Sequence, residues 1–161
     1  MSVVPALYLD VQQMVDSDDI PQPSMLEFWI KTALTEAATQ RQESMNDEYE
    51  LTIRIVDKAE IRTLNKTYRH KDQTTNVLSF PFEAPSEVQL PLLGDLVICH
   101  NVVVEEARQQ QKTVRDHWAH MVIHGVLHLK GYDHIDDDEA RIMEALEVHI
   151  LKILKIADPY H

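Results

Sequence analysis

Three histidines around residue 130 have the spacing of a metal site. His124 and His128 are four residues apart, so a helix would place both side chains on one face, one turn above each other. Gly131 can adopt the positive φ that ends a helix and reverses the chain, which would bring His134 back to the same point. The segment therefore predicts that His124, His128 and His134 together bind one Zn²⁺ ion per chain.

The types of ligand indicate a catalytic zinc site. Three histidines leave the fourth tetrahedral position of zinc for water, whereas structural sites fill all four positions with protein groups, usually including cysteine. The sequence contains one cysteine, Cys99. A closed, structural site would therefore need Asp133 or another carboxylate as its fourth ligand.

The histidine and glycine pattern is shared with metzincin proteases, which place a glutamate base directly after the first histidine. Here that position is Gly125. Without this glutamate the attacking water lacks its usual proton acceptor. A zinc hydrolase acting on peptides or small amides is therefore an alternative, and not the first interpretation.

The helix that would hold these ligands can be placed from its own sequence. Thr113 with Asp116 three residues later resembles a capping box, so we expect a helix over residues 113–130. His117 and His120 share the narrow stripe of His124 and His128 on this helix. No turn brings a further histidine back to these two residues, so we interpret them first as buried, hydrogen-bonded histidines. His120 is a candidate to support the metal ligands.

Basic residues are concentrated in one part of an acidic chain. The net charge is −12, which argues against nucleic acid as a partner, but six basic residues and two acidic ones lie between residues 54 and 71. On a helix the spacing would align several of them in a stripe. An ordinary solvated helical face is an equal alternative. The candidate RNA-binding residues are Lys58, Arg62, Lys66, Arg69 and Lys71.

Length and composition predict one domain over residues 1–161, with enough chain to bury a full core. The single cysteine suits a reducing compartment. No signal-peptide pattern is present, and no apolar stretch approaches the ~18 residues that would span a bilayer. We therefore expect a cytoplasmic protein that does not act in a membrane.

Periodicity and turn residues predict an α+β fold, with a single small mixed β-sheet of about four strands packed against about five helices. The helix that carries the metal ligands would resemble that of zincins. A surface loop is expected over residues 83–91, and the helix over residues 24–40 is expected to be capped by Ser24. The predicted strands are 6–11, 51–56, 76–80 and 95–99, and the predicted helices are 24–40, 58–68, 102–111, 113–130 and 137–155.

Three motifs resemble the YbeY family of bacterial rRNA-processing endoribonucleases, and the likeness spans nearly the whole chain. They are His124-Gly125-x-x-His128-Leu129-x-Gly131-Tyr132-Asp133-His134, Asn76-Val77-Leu78-Ser79-Phe80 and Gly94-Asp95-Leu96-Val97-Ile98. The resemblance implies a zinc-dependent endoribonuclease specific for single-stranded RNA, which matures the 3′ end of 16S rRNA and acts in ribosome quality control. It also implies the small ribosomal subunit and an Era-type GTPase as partners.

The functional arginine of that family corresponds to Arg69, which lies in the basic stripe. A guanidinium can bind two phosphate oxygens at once, so Arg69 is one predicted catalytic residue. His124, one of the predicted zinc ligands, is the other. Asp133 or a spare histidine would transfer protons or orient a ligand. The nucleophile could be hydroxide or the 2′-hydroxyl of the RNA, and a non-catalytic ribosome-assembly factor with a structural zinc is a further alternative.

Overall fold

The computed structural model describes residues 5–83 and 90–160, and its strands form one four-stranded sheet in the order β1-β2-β4-β3. β1 pairs with β2 and β2 with β4 in parallel, while β3 is antiparallel to β4 and forms one edge. The expected mixed sheet is therefore confirmed. The strands are β1 Ala6–Gln13, β2 Glu48–Val56, β3 Val77–Pro81 and β4 Leu92–Cys99.

Five helices accompany the sheet in the described residues, which confirms the α+β class. Among these residues none of the helices combines the length and the apolar character needed to cross a bilayer. Most of the loop expected at 83–91 lies outside the described residues. The helices are α1 Pro23–Arg41, α2 Lys58–Arg69, α3 His100–Gln109, α4 Val114–Leu129 and α5 Asp137–Ile153.

The two faces of the sheet bury different cores. Alternate residues of β2 and β4, such as Ile53 and Leu96, point into a large core with α1, α4 and α5. The other face carries a smaller cluster in which Val97 packs near Ile61 of α2. Each fully buried Leu or Ile contributes about 1.5–3 kcal/mol. Because α4 contacts α1, α3, α5 and the strands β3 and β4, the helix with the predicted ligands is the central one.

The predicted N-terminal cap of α4 is present in the structure, whereas the predicted cap of α1 is not. The side chain of Thr113 accepts a hydrogen bond from the backbone of Asp116 at 3.1 Å, as the capping pattern of α4 predicts. The predicted cap of α1 at Ser24 is wrong: the cap residue is Gln22, without a side-chain cap bond, and Pro23 occupies the first turn. Proline has a preset φ and no N–H to satisfy there, so the helix begins before Ser24.

Gly125 allows α4 to lie close to the sheet. A Cβ at this position would meet Cδ2 of Leu96 at 2.7 Å, and Leu96 is fully buried in β4. On the same side, the Ser79 hydroxyl donates to the Gly125 carbonyl at 3.5 Å. The close approach places the C-terminal half of α4 beside the edge strand β3. A glutamate at position 125 would force the buried Leu96 side chain to shift.

Candidate metal centre

The structure brings the three predicted zinc ligands together. His124 and His128 lie one turn apart on α4, with their Nε2 atoms 3.0 Å from each other. Ring nitrogens of His124, His128 and His134 all lie within 4.8 Å of one another. The predicted turn explains the third position, because Gly131 has a φ of +91° and reverses the chain after α4.

That turn is anchored by α1. Arg41 donates to the Lys130 carbonyl at 2.6 Å, and its guanidinium carbon lies 3.9 Å from the centroid of the Tyr132 ring. The Tyr132 side chain is buried. Contacts from a separate helix therefore hold the segment that delivers His134.

The ring tautomers of His124 and His128 are set by their outer partners. Nδ1 of His128 lies 3.0 Å from the Tyr132 carbonyl oxygen, which can only accept, so Nδ1 carries the proton. Nδ1 of His124 lies 2.5 Å from a carboxylate oxygen of Glu147, which also accepts. Both Nε2 atoms then present lone pairs to each other across 3.0 Å. Two facing lone pairs repel unless a cation lies between them, so this donor set fits a metal ion such as zinc.

Glu147 is the site residue that the sequence analysis missed. Its side chain is fully buried on α5, accepts a hydrogen bond from Tyr160, and lies 3.7 Å from Nε2 of His120. Burial raises its pKa, but hydrogen bonds to His120 and His124 outweigh that effect and lower the pKa to about 2. An ionised, buried carboxylate therefore lies directly behind a candidate metal ligand. A signal existed, since Glu147 falls within the apolar stripe of α5.

His124 also belongs to a second group. Ligand atoms of His120, His124 and Glu147 lie within 4.8 Å of one another and could hold a metal. In the structure, however, His124 and Glu147 already form a hydrogen bond with each other through these atoms. The trio His124, His128 and His134 is the one that opens on a cleft, so we treat it as the candidate metal centre.

The histidine trio has room for a non-protein ligand. Among the described residues, no fourth histidine, cysteine, aspartate or glutamate joins the trio within 4.8 Å. Asp133 accepts the backbone N–H of His134 at 2.7 Å, and its carboxylate lies 3.5 Å from Nδ1 of the same ring. Asp133 is thus placed to orient His134, which is one of the roles that the sequence analysis proposed for it.

The trio lies in a cleft of about 670 Å³ between α4, the end of α2 and the edge strand β3. Arg69 and Lys71 line this cleft together with His124, His128, Asp133 and His134. Arg69 is held there by a 2.5 Å hydrogen bond to the Ser79 carbonyl. The predicted catalytic pair, Arg69 and His124, therefore shares one cavity.

The rest of the basic stripe is not brought to the cleft wall. Lys58 pairs with Glu105. Arg62 lies 2.7 Å from Asp72, and Lys66 lies 3.9 Å from the same carboxylate. These partners offset the positive charge of α2 over most of its length. Arg69 and Lys71 remain as the basic residues that face the metal centre.

The two earlier histidines of α4 are buried. His117 bonds through Nε2 to Glu106 at 2.8 Å, and this hydrogen bond lowers the pKa of Glu106 despite its burial. Burial lowers the pKa of His120, whose Nε2 lies 3.4 Å from the Tyr160 hydroxyl. In the described part of the chain, Nδ1 of both His117 and His120 has no hydrogen-bond partner.

Comparison with known proteins identifies the family. A sequence profile of the family described as endoribonuclease YbeY matches residues 12–155. The chain belongs to the YbeY family. The predicted family is confirmed, and with it the broad activity, cleavage of RNA by an endoribonuclease.

A solved structure supports the same fold. TM1509 from Thermotoga maritima, determined in solution, matches with a TM-score of 0.55 and 23% sequence identity, over 92% of this chain and 91% of its own. At this identity the likeness shows the shared α+β fold. It therefore supports the architecture that places the histidine trio, and the roles of the side chains rest on the geometry of this YbeY-family chain.

Proposed function

We propose that this protein is a zinc-dependent endoribonuclease, specific for single-stranded RNA, that matures the 3′ end of 16S rRNA and acts in ribosome quality control. The family supports the RNA-cleaving activity. One observation carries the zinc dependence: Nε2 of His124 faces Nε2 of His128 at 3.0 Å, while the other nitrogen of each ring is already bonded. A zinc ion between the rings would accept both Nε2 lone pairs, and this fit supports the proposed zinc dependence.

In this proposal His124, His128 and His134 hold the zinc ion. A zinc ion bound by three histidines supplies Lewis acidity toward a phosphate oxygen and lowers the pKa of water. Glu147 and the Tyr132 carbonyl keep the two helical ligands in the correct tautomer and orientation. Asp133 orients His134 and is exposed enough to exchange protons with solvent.

Arg69 binds the phosphate on the other side of the cleft. Its guanidinium is always charged and can donate to two phosphate oxygens, so it stabilises charge that develops on the phosphate as the bond breaks. Lys71 adds positive charge at the same wall. Lys58, Arg62 and Lys66 contribute more weakly to RNA binding, because acidic partners already offset their charge.

The biological setting follows from the family resemblance. The small ribosomal subunit presents the 16S rRNA, and an Era-type GTPase is the proposed protein partner. The cytoplasm is the proposed location, in keeping with the single buried cysteine, and residues 1–161 act as one domain.

The proposal predicts that Arg69→Ala lowers cleavage of single-stranded RNA by about 10²- to 10³-fold, as expected when a group that stabilises developing charge is removed. Zinc content should not change, because the contacts of Arg69 are with Ser79 and Phe80 and not with the histidines. The assay compares single-stranded with duplex RNA, each before and after chelation. Arg115→Ala is the matched control, since Arg115 lines a separate cavity beside Phe28.

Two outcomes would overturn the proposal. Full cleavage by demonstrably zinc-free protein would remove the metal from the reaction. Equal activity of Arg69→Ala and Arg115→Ala would show that Arg69 is an ordinary solvated residue without a role in cleavage. The product ends identify the nucleophile, because a 2′,3′-cyclic phosphate forms only when the 2′-hydroxyl attacks.

A further inference from the structure

A pair of aromatic rings, of which Tyr68 is exposed and Phe80 is half-buried, lies next to Arg69 at the edge strand of the sheet. Tyr68 is 60% exposed at the end of α2, and its ring meets the Phe80 ring of β3 edge to face, with centroids 5.3 Å apart. Phe80 packs against the smaller core, so it is fixed from behind. The Tyr68 ring is thus supported on one side and open to solvent on the other.

Arg69 joins this aromatic pair to the candidate metal centre. Its guanidinium carbon lies 5.4 Å from the Phe80 centroid, and the same residue lines the cleft that contains His124 and His134. The hydrogen bond from Arg69 to the Ser79 carbonyl fixes it across β3. Because both Arg69 and Tyr68 approach the Phe80 ring, the aromatic pair lies beside the guanidinium that would bind a phosphate.

We propose that Tyr68, backed by Phe80, stacks an unpaired nucleobase next to the phosphate that Arg69 binds. This inference rests on the proposed function, which supplies RNA as the ligand. Every nucleobase has a flat π face, and stacking on an aromatic side chain is largely independent of sequence. In a duplex each base is already stacked and paired, so it cannot reach the Tyr68 ring. The platform thereby accounts for a preference for single strands.

Charge favours RNA over a protein segment as the occupant. The chain as a whole carries −12, yet Arg69, which approaches Phe80, and Lys71 are basic and line the cleft, where the acidic residues are Glu83 and Asp133. A polyanion with flat, uncharged bases matches this combination of a cationic wall and an exposed ring. Arg69 links the platform to the candidate metal centre, because it approaches Phe80 and also lines the histidine cleft.

The first test measures binding to a short single-stranded 2′-O-methyl RNA with chelator present, so that cleavage does not interfere. Tyr68→Ala should weaken binding by about 5- to 150-fold, the range found when a base-stacking aromatic is removed. Tyr68→Trp should retain affinity, because it keeps an aromatic face. Tyr8→Ala is the matched control: Tyr8 is 56% exposed, but it lies on β1 at the opposite edge of the sheet.

The second test locates the base. In the unmodified protein, 2-aminopurine placed at successive positions of the oligonucleotide should be quenched most strongly at one position, and Tyr68→Ala should abolish that quenching. An abasic site at the same position should weaken binding to the unmodified protein but cause little further loss in Tyr68→Ala. Abasic sites elsewhere should add to the loss caused by the substitution.

The inference is overturned if Tyr68→Ala binds the single strand as tightly as Tyr8→Ala does, or if its loss of affinity is the same whichever base is removed. Failure of the proposed function gives a different result. In that case the unmodified protein would neither bind nor cleave single-stranded RNA, whatever residue occupies position 68.

Discussion

His117 and His124 lie on the same helix and each bonds to a glutamate of another helix, but through opposite ring nitrogens. His117 uses Nε2 toward Glu106 of α3, and its remaining Nδ1 is buried without a hydrogen-bond partner among the described residues. His124 uses Nδ1 toward Glu147 of α5, and its remaining Nε2 faces His128. His124, a candidate metal ligand, therefore differs from His117 in which ring nitrogen is left without a bond to glutamate.

The difference teaches that a row of histidines on one helix face does not define a metal site. At the candidate site other groups engage Nδ1 of His124 and His128, which leaves Nε2 of each ring free, and a turn supplies a further histidine. In the C-terminal half of α4, α5 supplies Glu147 and the turn at Gly131 supplies His134. His117 has neither arrangement, because Glu106 occupies its Nε2 and no further histidine faces its Nδ1 in the described part of the chain.

The largest expected contrast is between His124→Ala and His117→Ala. Removing His124 should weaken zinc binding by more than about 100-fold, since even the outer partners of metal ligands are worth about 10- to 100-fold. Removing His117 should leave zinc binding unchanged but lower the free energy of unfolding by about 1–3 kcal/mol, because Glu106 loses a hydrogen-bond partner. Competition with a chelator and urea unfolding measure the two effects. Equal zinc loss in both variants would break the comparison.

A smaller contrast is expected when each of the two glutamates is replaced by glutamine in a separate variant. Glu147→Gln should lower zinc affinity by about 10- to 100-fold, because the ligand behind it loses an ionised hydrogen-bond acceptor and the site loses a negative charge. Glu106→Gln should leave zinc affinity unchanged, since Glu106 touches His117 and not the trio. Measuring zinc affinity for both variants at one pH decides the matter. A Glu147→Gln protein with unaltered affinity would reduce Glu147 to a packing role.

The smallest expected effect is a pH dependence. Burial and the neighbouring histidines lower the pKa of His128 from its ordinary value of 6.5. The folded protein therefore keeps His128 neutral where the unfolded chain would protonate it, so the metal-free protein loses stability as pH falls below about 6.5 and is unaffected by this group above it. Zinc binding should weaken in the same direction, because protons compete for Nε2.

The contribution of His128 to this pH effect is isolated by comparing the unmodified protein with His128→Gln. Urea unfolding of metal-free protein at pH 7.5 and 5.5 should show a larger loss of stability for the unmodified protein than for His128→Gln. Identical losses would show that other groups account for the acid sensitivity.

Local signals in the sequence predicted much of the candidate site. The spacing of His124 and His128, the glycine at 131 and the Thr113 cap all act within one helix and its turn, so they can be read without knowledge of the fold. The α+β class and the mixed sheet also followed from periodicity. The placement of Arg69 in the cleft was expected from the family resemblance.

What the sequence could not show depends on contacts between distant parts of the chain. Glu147 reaches His124 from a separate helix, although a carboxylate in an apolar stripe was a visible anomaly. The partner of His128 is the backbone carbonyl of Tyr132, which no side-chain pattern reveals. The pairing of Lys58 with Glu105, from α3, likewise became visible only in three dimensions.

The central claim is that three imidazoles hold one zinc ion and leave a position for a non-protein ligand. X-ray absorption at the zinc edge, on the zinc-loaded unmodified protein and on His128→Ala, tests it most directly. We expect one zinc per chain with three imidazole nitrogens and one light non-protein atom, and the loss of an imidazole or of the metal in the variant. A site closed by four protein ligands, or a spectrum identical in the two proteins, would contradict it.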